Sequence, residues 1–404
     1  MKRYELITPE GTKDLLFDEC LAKREIEKRL SDIFKSHGYS EVVTTGIEFY
    51  DVFSKGSRTV KQEALYKLTD SKGRLIVLRP DSTIPIARLV ATRLKDAPLP
   101  LRLYYNQAYF ENNALLKGHS DEVTQAGVEL IGTKSRRADF EILSLAVEAL
   151  SAVEPESFRI EIGNVGIFKE LVAQLGADKD TAEQIRYLIV NKNYPALGDM
   201  LDTFGDNDVI RALKELPRLF GKEEVFERVE KLFVNDTIKS ILDDLKYVYE
   251  SLLTLGIKDN LSVDLGAVNR IDYYTGLTFK GYLEGIGEDV LAGGRYNHLI
   301  SEFGYDQPAT GFGINVNACT SLLLKNGGAP KTSVSDVIVY SEMKDVMKAI
   351  SYSNMLAKSG VAVENSVFET LEETKEYALQ KGIKKLVVVA DEIEEIDMKG
   401  GEQV

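Results

Sequence analysis

Residues Arg102–Gly132, RLYYNQAYFENNALLKGHSDEVTQAGVELIG, decide the fold. Two alternating runs, Leu101–Phe110 and Glu122–Ile131, flank a polar loop rich in Asn, Lys and Gly, which predicts a long antiparallel hairpin. In the second run Gln125 and Glu129 stand four residues apart, so both side chains leave the strand on the same face. An amide and a carboxylate aimed together at the concave face of a sheet suit a small cationic ligand.

Upstream of the hairpin, Pro9–Asp14 is turn chemistry leading into a helix. Ile26, Leu30, Ile33 and Phe34 carry the helical spacing, and Gly38 stands where a C-terminal cap belongs, with His37 placed to favour the helix dipole. Glu41–Glu48 alternates like a strand, and Ala64–Leu68 with Leu75–Arg79 flank the hairpin turn Asp70–Gly73. The string Leu78-Arg79-Pro80-Asp81-Ser82-Thr83 then opens a helix running to about Arg93, where Asp81 alone would read as an N-cap.

Downstream, Ala138–Val153 reads as a helix and Phe158–Ile162 as a strand, followed by helical segments with Gly, Asp and Asn turns from about 165 to 255. Strands are expected again at Leu261–Asp264 and Tyr273–Glu284. If Tyr273 and Tyr274 lie on a strand, they face opposite ways, and a bulge is needed to bring both to one pocket. Glycine-rich runs follow at Ala292–Asn297 and Pro308–Asn315 and permit close backbone approach. Lys325–Val334 has linker composition; beyond it strand, helix, strand, helix, strand over Val337–Ala390 reads as a small parallel α/β unit, ending in a tail MKGGEQV.

These strings resemble, in order along nearly the whole chain, the class II aminoacyl-tRNA synthetases and most closely the histidyl-tRNA synthetases. The hairpin is similar to motif 2, Glu41–Glu48 with its preceding helix to motif 1, and Pro308–Asn315 to motif 3. Asp272-Tyr273-Tyr274-Thr275-Gly276 resembles the tyrosine signature of the histidine enzymes. The resemblance implies an α+β fold: an antiparallel synthetase-like sheet flanked by helices over residues 1–324, with a helical insertion at about 165–255. A linker at 325–334 and a shortened anticodon-binding-type α/β domain at 335–404 complete it. It also implies that Asp81, Thr83, Gln125, Glu129, Tyr273 and Tyr274 line a histidine pocket. Arg270 becomes the candidate contact for the ligand carboxylate.

Three positions depart from an active synthetase. Where the family carries cations for ATP, this chain has Glu111, Asn269 and Ala318. A unit charge ~4 Å from a phosphate is worth roughly 4 kcal/mol at an effective dielectric of about 20, and Glu111 reverses its sign. Adenylate formation joins two anions and depends on such cations, so an active synthetase is disfavoured. The pattern, including the Arg79-Pro80-Asp81 string and Gln125–Glu129, resembles the regulatory subunits of ATP phosphoribosyltransferase, histidyl-tRNA synthetase paralogues that pair with a short-form catalytic subunit. In that family the complex carries out the first step of histidine biosynthesis and is inhibited by histidine. A homodimer through the motif 1-like element is implied, and no cofactor. A histidine-sensing or amino-acid-modifying synthetase paralogue is the alternative.

Composition sets the outer bounds. At 404 residues the chain is long enough for two or three domains, and 44% hydrophobic with 28% charged residues is the balance of a soluble globular protein. No run approaches the ~18 apolar residues of a membrane span. The opening MKRYELITPEGTKD lacks the apolar stretch of a signal peptide, so a cytoplasmic location is expected. Cys20 and Cys319 are too few and too far apart for a disulfide framework or a metal site. A net charge of −14, from 50 basic and 64 acidic residues, argues against tRNA as a partner.

Overall fold

A computed structural model of the chain describes residues 3–56, 60–113, 120–229, 232, 235–266, 268 and 273–398. The chain divides into two compact units, Met1–Pro330 and Lys331–Val404. The first is built on the hairpin: Leu101–Phe110 and Glu122–Ile131 pair antiparallel over their full length, from Leu101 opposite Ile131 to Phe110 opposite Glu122. Among the described residues the sheet that grows from it has nine strands. From the hairpin it continues through Ala309–Asn315, Leu291–Arg295, Leu277–Leu283, Phe158–Asn164 and Leu261–Asp264.

Side-chain alternation divides this sheet into two chemically different faces. Tyr104, Ala126, Val128, Phe279, Phe312 and Ile314 point to one side and are buried in the main core with the helices Asp18–Ser36, Arg136–Val153 and Val316–Lys325. The first of these helices buries Ala22, Ile26, Leu30 and Phe34, one per turn, against the sheet. Phe34 packs its ring 5.9 Å from both Tyr104 and Phe312. The helix stops where expected: His37 is its C-cap and Gly38 takes the left-handed conformation, φ +80°, that its missing Cβ allows.

Several elements differ from the sequence expectation. Glu41–Glu48 is not one strand: Ser40–Glu41 pairs parallel with Leu103–Tyr104, and Ile47–Phe49 belongs to a separate small sheet with Leu75–Leu78 and Lys67–Thr69. The break is held by buried Arg79, which donates to the Thr44 carbonyl at 2.7 Å and to Gln107 Oε1 at 2.9 Å. That amide oxygen in turn accepts from the Thr44 N–H at 3.1 Å. Tyr273 and Tyr274 also lie outside any strand, which starts only at Leu277.

In the insertion, the helices Val165–Leu175, Lys179–Val190, Tyr194–Asp202, Asp208–Glu215 and Asp236–Leu253 each begin at an Asn or Asp side chain that accepts a backbone N–H. The turn residues that broke the helical pattern in the sequence are therefore its caps. The insertion is not purely helical, since Phe220–Gly221 adds a short strand beside Leu261–Asp264.

In the second unit Val337–Tyr340 lies between Val363–Asn365 and Lys385–Val389, parallel to both. Val337 and Val339 enter one apolar cluster and Ile338 and Tyr340 the other, so this strand is buried on both faces. The sheet is mixed, not purely parallel: Ile393–Asp397 runs antiparallel along Lys385–Val389 as a largely exposed edge. Of the expected tail, only Met398 falls within the described residues.

Candidate functional site

The face of the large sheet opposite the main core is floored with glycine. Gln125, Gly127 and Glu129 alternate onto it from the second hairpin strand. Gly311 pairs with Glu129, Gly313 with Gly127, and Gly294 with Gly311. Gln125, Glu129 and Tyr105, which pairs with Gly127, raise polar side chains from this floor. A Cβ at Gly127 would lie 2.5 Å from the Tyr105 hydroxyl, and one at Gly313 would lie 2.5 Å from the Gln125 amide. The glycines thus leave room for the two polar groups that the hairpin presents. Tyr105 donates its hydroxyl to Gln125 Oε1 at 2.8 Å and fixes that amide.

The walls come from three separate segments. The strand-to-helix turn at Arg79–Thr83 supplies Asp81, whose Oδ1 accepts from the Ile84 N–H at 2.6 Å. Asp81 therefore both caps the helix Thr83–Arg93 and faces the site. Tyr273 and Tyr274 come from the irregular turn before Leu277, so no strand alternation separates them. Their rings lie 5.1 Å apart, and Tyr273 lies 5.6 Å from Tyr296. Tyr296 follows the strand Leu291–Arg295 and donates its hydroxyl to Glu129 Oε2.

Electrostatically the site is dominated by two buried carboxyls. Glu129, 1% exposed, has its pKa raised to about 8 by burial, against the pull of hydrogen bonds from Tyr296 and Thr83. Asp81 is raised to about 6 by the same cause, although backbone N–H groups of Ile84 and Thr83 and the Tyr273 hydroxyl favour its charged form. The negative charge of Asp81 raises Glu129 further. The Tyr105 and Tyr273 hydroxyls are driven far above their ordinary value by burial and by these carboxylates. Among the described residues no Lys or Arg side chain is among the groups that shift either carboxyl. Two buried carboxyls raised in this way favour a cationic group brought beside them.

A family model described as histidyl-tRNA synthetase matches residues 11–319. An ATP phosphoribosyltransferase regulatory subunit from Clostridium kluyveri is 40% identical over 391 residues, covering 96% of this chain and all of that protein. One from Bacillus mycoides is 37% identical over 395 residues, covering 97% and 94%. The chain belongs to the ATP phosphoribosyltransferase regulatory subunit family. Among solved structures, one titled an ATP phosphoribosyltransferase regulatory subunit/histidyl-tRNA synthetase, from Bacillus halodurans, matches with a TM-score of 0.82 at 27% identity, covering 96% of this chain and 99% of that one. A histidyl-tRNA synthetase from a Nostoc species shares the fold at TM-score 0.74 and 20% identity, with 97% of each chain covered.

Of the other singled-out positions in this family member, Glu111 and Ala318 are within the described residues. Glu111 is exposed just past the first hairpin strand, its N–H donating to the Asp121 carbonyl at 2.9 Å. Its charge adds to the groups that raise the pKa of Tyr109. Ala318 sits in the first turn of the helix Val316–Lys325, its N–H capped by Asn315 Oδ1 at 3.0 Å, and packs against the main core. Asn269 and Arg270 fall outside the described residues.

Arg295, in the glycine-rich string, turns away from the pocket and is buried against Asp139 at 2.9 Å. The residues that sequence reasoning missed are Tyr105 and Tyr296. Among the described residues no cluster of His, Cys, Asp or Glu is arranged to hold a metal ion, and no helix is long and apolar enough to cross a membrane.

Proposed function

We infer that this chain is a non-catalytic regulatory subunit that assembles with a short-form ATP phosphoribosyltransferase catalytic subunit and senses histidine. The observation that supports this reading is the pair of buried carboxyls, Asp81 and Glu129, on a glycine-floored synthetase sheet, with no Lys or Arg among the described residues that shift either one. Such a site favours an amino acid's ammonium and imidazole and disfavours the triphosphate that a synthetase must hold. A histidine ammonium fits between Asp81 and Gln125. Its imidazole fits beside Glu129, with Tyr273 and Tyr274 as walls. For histidine to regulate, it must bind two states of the complex unequally, because equal affinity shifts nothing.

The test is to mix the purified chain with a short-form catalytic subunit and to follow phosphoribosyl transfer, with ATP–pyrophosphate exchange measured in parallel. Stimulated transfer that histidine inhibits is the expected outcome. Histidine-dependent exchange by the chain alone would restore the synthetase reading.

A homodimer is part of the same proposal. The small sheet turns Ile47, Phe49 and Leu68 to solvent on one face, while Glu48 and Val77 face inward. A partly exposed apolar sheet face of this kind favours pairing with a second copy. Phe49→Glu is expected to shift the sedimentation coefficient from dimer to monomer, and an unchanged coefficient would remove this face from the interface.

A further inference from the structure

Asp81 and Glu129 reach the pocket from different sheets. Glu129 stands on a strand of the large sheet that is paired on both sides, with Leu101–Phe110 and with Ala309–Asn315. Asp81 follows the strand Leu75–Leu78 of the small sheet, which pairs with Ile47–Phe49 and Lys67–Thr69. The helix that Asp81 caps, Thr83–Arg93, is tied to that small sheet, since Arg88 donates to Glu48 Oε1 at 2.6 Å. The spacing of the two carboxyls therefore depends on how the small sheet is joined to the large one.

Arg79 makes much of that joint. Its Nε donates to the Ala108 carbonyl at 2.5 Å and its Nη1 to Gln107 Oε1 at 2.9 Å, both on the first hairpin strand. The same Nη1 reaches the Thr44 carbonyl at 2.7 Å and the Thr45 carbonyl at 3.3 Å, in the break that leads to Ile47–Phe49. The main chain of Arg79 repeats the pattern. Its N–H donates to the Gly46 carbonyl at 3.0 Å, and its carbonyl accepts from the Phe110 N–H at 2.9 Å. Pro80 has a fixed φ and restricts Arg79 to extended backbone, so little freedom separates this anchor from Asp81.

A buried guanidinium is a poor choice for stability alone. Burial lowers its pKa, with Glu48 opposing, and a well-packed apolar side chain is often as stable in such a place. What the guanidinium adds is a rigid fork that fixes direction toward several acceptors at once.

We propose that Arg79 is a positioning residue for the pocket: it sets the distance from Asp81 to the floor that carries Glu129, and so governs how tightly a ligand's cationic groups are held between them. The proposal rests on the histidine reading of the pocket. Arg79 acts through Asp81, its own donors being directed at main-chain and amide oxygens.

The test is a double-mutant cycle, with histidine titrated calorimetrically into the full chain as wild type, Arg79→Lys, Asp81→Asn and the double variant. Lysine keeps the charge without the fork, and asparagine keeps an acceptor for the Ile84 N–H. Arg79→Lys is expected to weaken histidine about tenfold, the size of a coupling within one network, and by less than about twofold once Asp81 is already asparagine. A purely structural role would lower the melting temperature alike in both backgrounds and weaken histidine alike in both. Gln107→Met, which removes one hairpin acceptor and leaves Arg79 in place, is expected to show the same dependence on Asp81, and it decides the matter if Arg79→Lys does not fold.

Unchanged affinity in Arg79→Lys, or a tenfold loss that persists in the double variant, would overturn the positioning role and leave the histidine reading standing. Full-strength histidine binding by Asp81→Asn would remove Asp81 from the pocket and overturn the role with it. A wild-type chain that binds no histidine would overturn both.

Discussion

Glu129→Gln lowers histidine affinity about 80-fold at pH 7 and raises the melting temperature of the free protein above pH 8. Both effects come from one buried carboxyl. A cationic group ~4 Å from an ionised carboxylate gains roughly 4 kcal/mol at an effective dielectric of about 20. With a pKa of about 8, ionising Glu129 at pH 7 takes back about 1.4 kcal/mol, one pH unit's worth. The remaining ~2.6 kcal/mol corresponds to the ~80-fold loss. Gln keeps the shape and an oxygen for the Tyr296 hydroxyl, so the effect reads out charge rather than packing.

The stability sign follows from linkage. The Glu129 pKa is raised in the folded protein from 4.5 to about 8, and that of Asp81 from 3.8 to about 6. Between those limits the folded state holds protons that the unfolded chain has given up, so stability falls as pH rises through the window. Glutamine cannot lose a proton, and the variant escapes the Glu129 share of that fall. Below about pH 4.5 the two proteins should melt alike; above pH 8 the variant should melt higher.

Histidine binding at pH 7 should also release protons, seen as a heat that depends on the buffer's ionisation enthalpy, with fewer released by the variant. Taking the difference between the two proteins removes the ligand's own titration. A wild-type melting temperature that is flat from pH 5 to 8, or a variant that binds histidine at full strength, would refute the role given to Glu129. The gain in stability with loss of binding is the mark of a carboxyl held for a ligand and not for the fold.

How much of this could be read from the sequence varied with the length and regularity of each element. The hairpin was legible because two runs of ten residues alternate without interruption, and that period placed Gln125 and Glu129 on one face. The same rule applied to Gly294-Arg295-Tyr296 separates Tyr296 from Arg295, sending the tyrosine toward Glu129 and the arginine to Asp139. Tyr105 was equally within reach through the hairpin register, opposite Gly127. At Tyr273–Tyr274 the rule misled because the segment is a turn, so both rings reach the site. Phe220–Gly221 is too short to show any period. Ile393–Asp397 hides its strand in an acidic, mostly exposed edge whose two isoleucines are three residues apart. The split of Glu41–Glu48 depends on Arg79 and Gln107, which are distant in sequence and visible only once the chain is folded.

Gly311→Ala is expected to lower stability by about 3 kcal/mol, at the top of the usual range for overpacking, and to eliminate histidine binding. Gly311 needs no unusual backbone conformation, so the effect is steric alone. A methyl group there would run into Glu129 Oε2 and the Val128 carbonyl oxygen. The carboxylate could swing aside only by leaving the Tyr296 hydroxyl, in a site where Glu129 is almost wholly enclosed. The Val128 carbonyl has less freedom, since it belongs to a strand that pairs with Ala309–Asn315 over seven residues. One added carbon therefore forces the strands apart directly beneath the pocket and displaces its principal charge. Gly287 supplies the control, because a Cβ there meets nothing within 4 Å, and Gly287→Ala should stay within about 0.5 kcal/mol of wild type. Denaturant unfolding and histidine calorimetry on both variants decide the matter. Equal stability of the two would mean that the strand beneath Glu129 yields readily, and full histidine binding by Gly311→Ala would place the ligand somewhere other than on this floor.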